Sequence, residues 1–217
     1  MAGRGVLHRR RLFFWVGLAG LMLLFAVLVA ARAAGWIPYY KTFYIPAEAM
    51  APTLLKDDHI LAVMGTRQPL RRGDIVLFRA GAETYIKRIA GLPQDRIGMV
   101  AGRVILNGRA IPQQRVGSET IAGPEGPLRA VRLRERFPGE AEPHEIYDQG
   151  PSPTDDVPEQ RVAAGHLFVL GDNRDMSADS RVAKTDGGVE QLPIADVTGR
   201  PLVYTWGSSR KFWKPVH

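Results

Sequence analysis

No cysteine occurs in the 217 residues. A thiol nucleophile, a disulfide scaffold and a zinc-thiolate site are thereby excluded, while the compartment is left open. Histidine is scarce: the five present are scattered, and none pair at the spacing of metal ligands. Acidic residues are missing from the first 32 positions, which carry Arg4, Arg9, Arg10, Arg11 and Arg32. Most of the net charge of +7 therefore sits at the N-terminus, and the remainder of the chain is close to neutral. A near-neutral domain is a poor phosphate-binding surface, so nucleic acid is not expected as a partner. Internal repeats are absent, as is any long amphipathic helical pattern beyond residue 31. What remains is globular in composition, 45% apolar and 24% charged. The length suits one good-sized domain, or a smaller one with an insertion.

The one long uncharged run is 12–31, twenty residues. As a helix it would reach roughly 30 Å, the thickness of a bilayer's hydrocarbon core. The arginines at 9, 10 and 11 predict a cytoplasmic N-terminus (1–11), a transmembrane anchor (12–31) and an extracytoplasmic domain (32–217). A cleavable signal peptide is the competing reading, because Ala31-Arg32-Ala33 imitates a small-x-small cleavage site. The run exceeds the ~7–15 apolar residues usual in such peptides, which favours the anchor. Trp36, Tyr39, Tyr40 and Lys41 follow, in the manner of an interfacial aromatic belt.

Beyond the anchor the pattern is that of short strands. Residues 59–63, 75–78, 166–170 and 202–206 are β-prone, and 84–90 alternates with period two. Arg72-Gly73-Asp74 and Gly187-Gly188 read as turns. Residues 103–106 followed by Asn107-Gly108 predict a hairpin with a type I′ turn. Residues 117–161 hold seven prolines and one plausible strand, 130–133, and are expected to form a loop-rich insertion. The fold class predicted is mostly β, a barrel or sandwich of short strands after one N-terminal helix.

Two stretches invite chemistry. In residues 45–55, Pro46 and Pro52 block helix on both flanks and predict an extended, exposed segment. Lys87 is the lone lysine of an otherwise apolar alternating strand. Burial disfavours an ammonium, and a neutral lysine can serve as a general base. A surface charge on a half-exposed strand is the blander alternative.

Four motifs settle which chemistry is expected. They are Ile45-Pro46-Ala47-Glu48-Ala49-Met50-Ala51-Pro52-Thr53-Leu54-Leu55, Arg72-Gly73-Asp74-Ile75-Val76, Tyr85-Ile86-Lys87-Arg88-Ile89-Ala90-Gly91-Leu92-Pro93 and Gly171-Asp172-Asn173-Arg174-Asp175-Met176-Ser177-Ala178-Asp179-Ser180-Arg181. In type and order, after an N-terminal anchor, they resemble the boxes of the type I signal peptidases, membrane-bound Ser-Lys proteases. The resemblance covers roughly residues 40–110 and 165–206. It implies a Ser-Lys dyad and no metal or organic cofactor. Lys87 is the implied general base, and Ser177 the residue that positions it. Asp179 and Arg181 are an implied structural ion pair, and Asp172 a structural acid nearby. Met50 lies beside the site, and Pro52 shapes its loop. On the residues alone, Asp172, Asp179 and Arg181 could equally belong to a solvated turn, and Ser180 is expected to.

The departures are two alanines. Where the family carries its nucleophilic serine this chain has Ala49, and where it carries a serine whose hydroxyl helps hold the oxyanion this chain has Ala47. Alanine offers neither nucleophile nor side-chain donor. The chain is therefore expected to be inactive or nearly so. The alanines fit either a natural member that binds without cutting or a Ser→Ala form of an active enzyme. The implied partners are signal peptides of exported preproteins, read as Ala-x-Ala at their C-terminal ends, together with a lipid bilayer and the protein-export machinery. The implied location is the bacterial inner membrane, with the peptidase domain outside the cytoplasm. A non-catalytic binder of exported peptides, or a conjugation-type relative with a narrower substrate, is the alternative.

Overall fold

The computed structural model describes residues 3–33, 38–65, 69–123 and 126–217. The chain divides into two units, 1–39 and 40–217. The first is dominated by one helix, α1 (Gly3–Ala33), in which Phe14–Ala31 is long and apolar enough to cross a membrane. Its large side chains, among them Phe14, Leu21, Met22, Leu23 and Phe25, are exposed. An N-terminal helix apolar along this stretch is consistent with a membrane anchor. Of the expected aromatic belt, Trp36 lies outside the described residues, while Tyr39 and Tyr40 are exposed.

The second unit is built from strands. In chain order they are β1 (Tyr39–Tyr44), β2 (His59–Met64), β3 (Ile75–Ala80), β4 (Glu83–Gly91), β5 (Arg96–Val100), β6 (Arg103–Leu106) and β7 (Arg109–Ala110). There follow β8 (Gln113–Gly123), β9 (Gly126–Glu135), β10 (His144–Asp148), β11 (Val157–Arg161), β12 (His166–Leu170), β13 (Leu192–Pro193) and β14 (Val197–Trp206). The largest sheet runs β1-β2-β14-β3-β4-β12-β13, a second β11-β5-β6-β7 and a third β10-β9-β8. The mostly-β expectation holds, and no sheet closes on itself in the pairing order.

Strand alternation distributes the core. On β12, Leu167 and Val169 join Ile89 of β4 in one apolar cluster, with Val76, Phe78 and Leu192. Phe168 and Leu170 join Ala90 in another, with Ile97, Val104 and Phe137. The central pair β4–β12 is thus apolar on both faces, as expected of a strand pair covered from two sides. The Asn107-Gly108 turn forms as its sequence requires, with φ of 51° and 77° between the paired Leu106 and Arg109.

Two local expectations are corrected. Residues 45–55 are not an extended, exposed segment. They turn, with Ala51 N–H donating to the Glu48 carbonyl (2.9 Å) and Leu54 N–H to that of Met50 (2.8 Å). Ile45, Met50, Leu54 and Ile60 bury together, so a loop cross-tied at its base is preferred over a free strand. Nor are residues 117–161 chiefly loop. They carry most of β8 together with β9, β10 and β11. Most of β8 is exposed, so its sequence shows no apolar alternation to betray it.

Candidate active site

The box 45–55 is pinned at its base, where Ile45 N–H donates to the Asp58 carbonyl (2.8 Å) and Asp57 N–H to that of Ile45 (2.9 Å). Met50 points inward at 3% exposure, so the loop's outward residues are Ala47, exposed, and Ala49, half-buried. Thr53 anchors the far side. Its Oγ1 donates to Asp172 Oδ2 (2.5 Å), and its carbonyl accepts from the Tyr204 hydroxyl. The segment 171–181 meets the box directly, Asn173 N–H donating to the Ala49 carbonyl at 3.2 Å.

Lys87 stands on β4 at 3% exposure, so the half-exposed alternative does not apply. The antiparallel register pairs Val169 with Ile89 and Leu170 with Arg88. β12 ends at Leu170, so the chain leaves the ladder at Gly171, one residue beyond the Leu170–Arg88 pair. Glycine is required there. A Cβ on Gly171 would lie 2.6 Å from the Ala49 carbonyl oxygen and would collide with the Ser177 side chain. Ala49 and Ser177 are therefore gathered around one position that has no side chain of its own, while Lys87 stands on β4, the strand paired with the β12 that leads into it. Ser177 is buried, and its Oγ has no hydrogen-bond partner.

The electrostatics suit a neutral amine. Burial pushes the Lys87 ammonium below its ordinary pKa, and the Arg181 guanidinium adds to this; Asp179 and Asp172 oppose it without cancelling it. Among the described residues no carboxylate forms an ion pair with Lys87. The reason is that both nearby acids are already engaged. Asp179 takes Arg181 Nε on Oδ1 (2.8 Å) and Nη2 on Oδ2 (2.8 Å), and also accepts from Gly171 N–H (3.0 Å). Burial alone would raise the Asp179 carboxyl, but Arg181 and the Gly171 N–H hold it below the usual range. Asp172 is held down in the same way by Arg88.

The sequence reading omitted Arg88. It neighbours Lys87, points to the opposite face, and grips Asp172 while 1% exposed. A second cation on a strand flanked by Ile86 and Ile89 was the available signal. Ser180, expected in a solvated turn, is 5% exposed, and its Oγ accepts from Val169 N–H (2.9 Å). Asp172, Asp179 and Arg181 are likewise tied into the interior. No group of three or more metal-ligating side chains occurs among the described residues.

The profile of the family described as "Signal peptidase, peptidase S26" matches residues 16–206. The chain belongs to this family. Among its relatives, signal peptidase I of Pseudomonas aeruginosa is 33% identical over 159 residues, covering 65% of this chain and 54% of that protein. Signal peptidase I of Leptolyngbya laminosa is 28% identical over 179 residues, covering 77% and 69%. The chain spans about half the length of the Pseudomonas signal peptidases it matches. A solved signal peptidase I from Enterococcus faecalis V583 aligns at 21% identity with a TM-score of 0.35, over 62% of this chain and 98% of that one.

Proposed function

We propose that this chain is a membrane-anchored signal peptidase of the Ser-Lys type whose proton-accepting half is in place and whose nucleophile is absent. The observation that carries the reading is Lys87, buried without an ion-pair partner among the described residues and held below the ordinary lysine range. It directly precedes Arg88, whose partner Asp172 is next in sequence to the glycine over which Ser177 and Ala49 meet. With serine at 49, its Oγ would attack the scissile carbonyl while Lys87 Nζ takes the hydroxyl proton, later handed to the leaving amine. The N–H of residue 49 and a serine hydroxyl at 47 would hold the oxyanion. Ser177 Oγ, otherwise unpartnered, would accept from the amine and aim it. Signal peptides would add as an extended strand, with small residues in shallow pockets, as in an Ala-x-Ala site. The helix α1 would hold the domain at the outer face of the bacterial inner membrane, its N-terminus cytoplasmic, within reach of exported preproteins and the machinery delivering them. Lysine performs the proton transfer, so the scheme needs no metal or cofactor.

As written the chain does not cut at a useful rate. Removal of a protease nucleophile costs about 10⁶ in rate. Removal of one oxyanion donor costs about 10²–10³, and the two losses overlap. Incubating the chain, its Ala49→Ser form and its Ala47→Ser/Ala49→Ser form with a preprotein in detergent tests this. Cleavage appearing only on serine restoration is expected; cleavage by the parent chain refutes the missing nucleophile. The two alanines also favour a second reading, a family member that binds exported peptides without cutting them. That reading gains if no form cleaves and peptide binding persists. Cleavage confined to one pilin-like substrate would instead favour a conjugation-type relative.

A further inference from the structure

Six buried or nearly buried charged side chains form a ring. Arg174 pairs with Glu135, both Nη1 and Nη2 facing that carboxylate. Glu135 Oε1 lies 3.1 Å from His144 Nε2, and Glu140 Oε1 lies 2.8 Å from His144 Nδ1. Glu140 is 3.7 Å from Arg88 Nη1, and Arg88 grips Asp172. Asp172 stands two residues from Arg174 in the same loop, so the circuit closes through the main chain and not through a side-chain contact. Around it the signs alternate without exception, provided that His144 is positive.

Two independent features require that charge. Both ring nitrogens of His144 face carboxylate oxygens, which only accept hydrogen bonds when ionised. A neutral imidazole has one N–H to offer, an imidazolium two. Without the histidine, moreover, two arginines face three carboxylates, which leaves a buried excess of one negative charge. The ring of Phe137 stacks on the imidazole, with centroids 5.2 Å apart, and His144 is 5% exposed, so water does not compensate.

We propose that His144 is an imidazolium positioning residue whose charge completes this ring and so fixes the strand carrying Lys87 against the loop carrying Ser177. The ring stands on its own geometry, and only its consequence for Lys87 rests on the proposed site. The groups that act on His144 are Glu135 of β9, Glu140 of the β9–β10 connection, Arg88 of β4 and Asp172 of the 171–181 segment. Burial and Arg88 disfavour its charge, but the two glutamates and Asp172 outweigh them and raise its pKa above the ordinary value. A further oxygen, the main-chain O of His217, accepts from Arg88 Nη2 at 3.2 Å.

The test is thermal unfolding of the full chain in detergent, at about pH 6 and in steps to higher pH, followed upward from the ordinary histidine value. The sign follows from the raised folded pKa. The histidine's contribution is complete below the unfolded value of about 6.5 and is lost as pH rises through the folded one. The stability that the parent holds over His144→Gln is therefore expected to shrink as pH rises, a difference from which the opposing contribution of Lys87 cancels. His144→Gln is expected to lower the midpoint at about pH 6 by roughly 10 °C, and by less at the higher pH. Adding Glu140→Gln removes the excess negative charge and is expected to recover at least half of that loss. A His144→Gln midpoint within about 2 °C of the parent, or no recovery in the double variant, overturns the proposal. Should His144→Gln not fold, the imidazole nitrogen shifts of the parent near pH 7 decide: two protonated nitrogens support the ring, one sinks it.

In the serine-restored chain, an alkaline fall in rate that disappears in His144→Gln/Glu140→Gln ties the ring to Lys87. The same fall persisting in that double variant refutes the tie. If the restored chain does not cleave at all, the proposed activity fails while the unfolding result still judges the ring.

Discussion

Arg88 holds Asp172 in a two-point grip, Nε to Oδ1 at 2.8 Å and Nη2 to Oδ2 at 2.6 Å, with neither side chain more than 2% exposed. The grip joins the strand of Lys87 to the loop of Ser177: Arg88 follows Lys87, and Asp172 follows Gly171. Asp172 is further tied to the box 45–55 through Thr53. One carboxylate thus connects three of the four motifs.

Removing that carboxylate leaves a buried guanidinium without its main partner. Asp172→Ala is expected to cost about 3–5 kcal/mol, the range for breaking a buried pair. Urea unfolding of the full chain in detergent measures it, and a loss under about 1 kcal/mol would mean the pair is dispensable. The acid side of the profile has a definite sign. Asp172 titrates below its ordinary range, because Arg88 and the Thr53 hydroxyl outweigh burial. Its contribution is therefore present above the unfolded value of about 3.9 and is lost as pH falls through the lowered folded value.

Lys87 is expected to behave in the opposite way. The fold holds its amine below the ordinary lysine range, chiefly through burial. Between the lowered folded pKa and the unfolded value of about 10.4 the unfolded chain binds the extra proton at this residue, so the lysine's own contribution to stability rises with pH across that window. Lys87→Met, similar in length and uncharged, is expected to raise the unfolding midpoint near neutral pH and to remove that rise. In the serine-restored chain, Lys87→Met or Lys87→Ala should abolish cleavage, and the rate with lysine present should climb as the amine deprotonates. A destabilised Lys87→Met chain would show that the amine is satisfied, not strained, in its site. A restored chain that still cleaves with Lys87→Ala would remove the lysine from the mechanism.

Short β-prone runs and one apolar stretch carried the fold class, a mostly-β domain after an N-terminal helix, because both have local signatures in sequence. The strand 166–170 and the Asn107-Gly108 turn follow from local pattern, while the Asp179–Arg181 pair followed only from the family resemblance. What the sequence hid was partnership across distance. Arg88 reads as an ordinary strand cation until Asp172, 84 residues on, is placed against it. His144 and Glu135 sit in a stretch whose prolines suggest loop, and their charges are meaningful only together. Ser180 read as surface because a turn's inner and outer positions look alike in sequence. The box 45–55 misled for a related reason: its prolines exclude helix but do not distinguish extended chain from turns packed on a core.

Gly171 offers a steric check on the site's compactness. A methyl there would sit 2.6 Å from the Ala49 carbonyl oxygen, which is backbone and cannot swing away, and would collide with Ser177. Gly171→Ala is expected to cost about 1–3 kcal/mol, the usual range for overpacking. In the serine-restored chain it should also lose cleavage beyond what its stability explains, since displacement of residue 49 by even ~1 Å misaligns attack. Retained stability together with retained cleavage would place Ala49 and Ser177 further from Gly171 than the structure has them.

Two serines in one loop should part company on mutation. Ser180 Oγ accepts from Val169 N–H at 2.9 Å, so Ser180→Ala strands a buried donor and is expected to cost about 1–3 kcal/mol. Ser177 Oγ is buried without a partner, so its removal takes away no bond and relieves an unsatisfied group. Ser177→Ala should leave the parent's unfolding midpoint unchanged or slightly raised. In the serine-restored chain the same change should reduce cleavage severely, because the amine of Lys87 would lose the hydroxyl proposed to aim it once substrate is bound. The contrast separates a structural serine from a positioning one: stability falls with the first, rate with the second. Equal destabilisation by both alanines, with cleavage unaffected by Ser177→Ala, would make Ser177 another packing residue and leave Lys87 oriented by its strand alone.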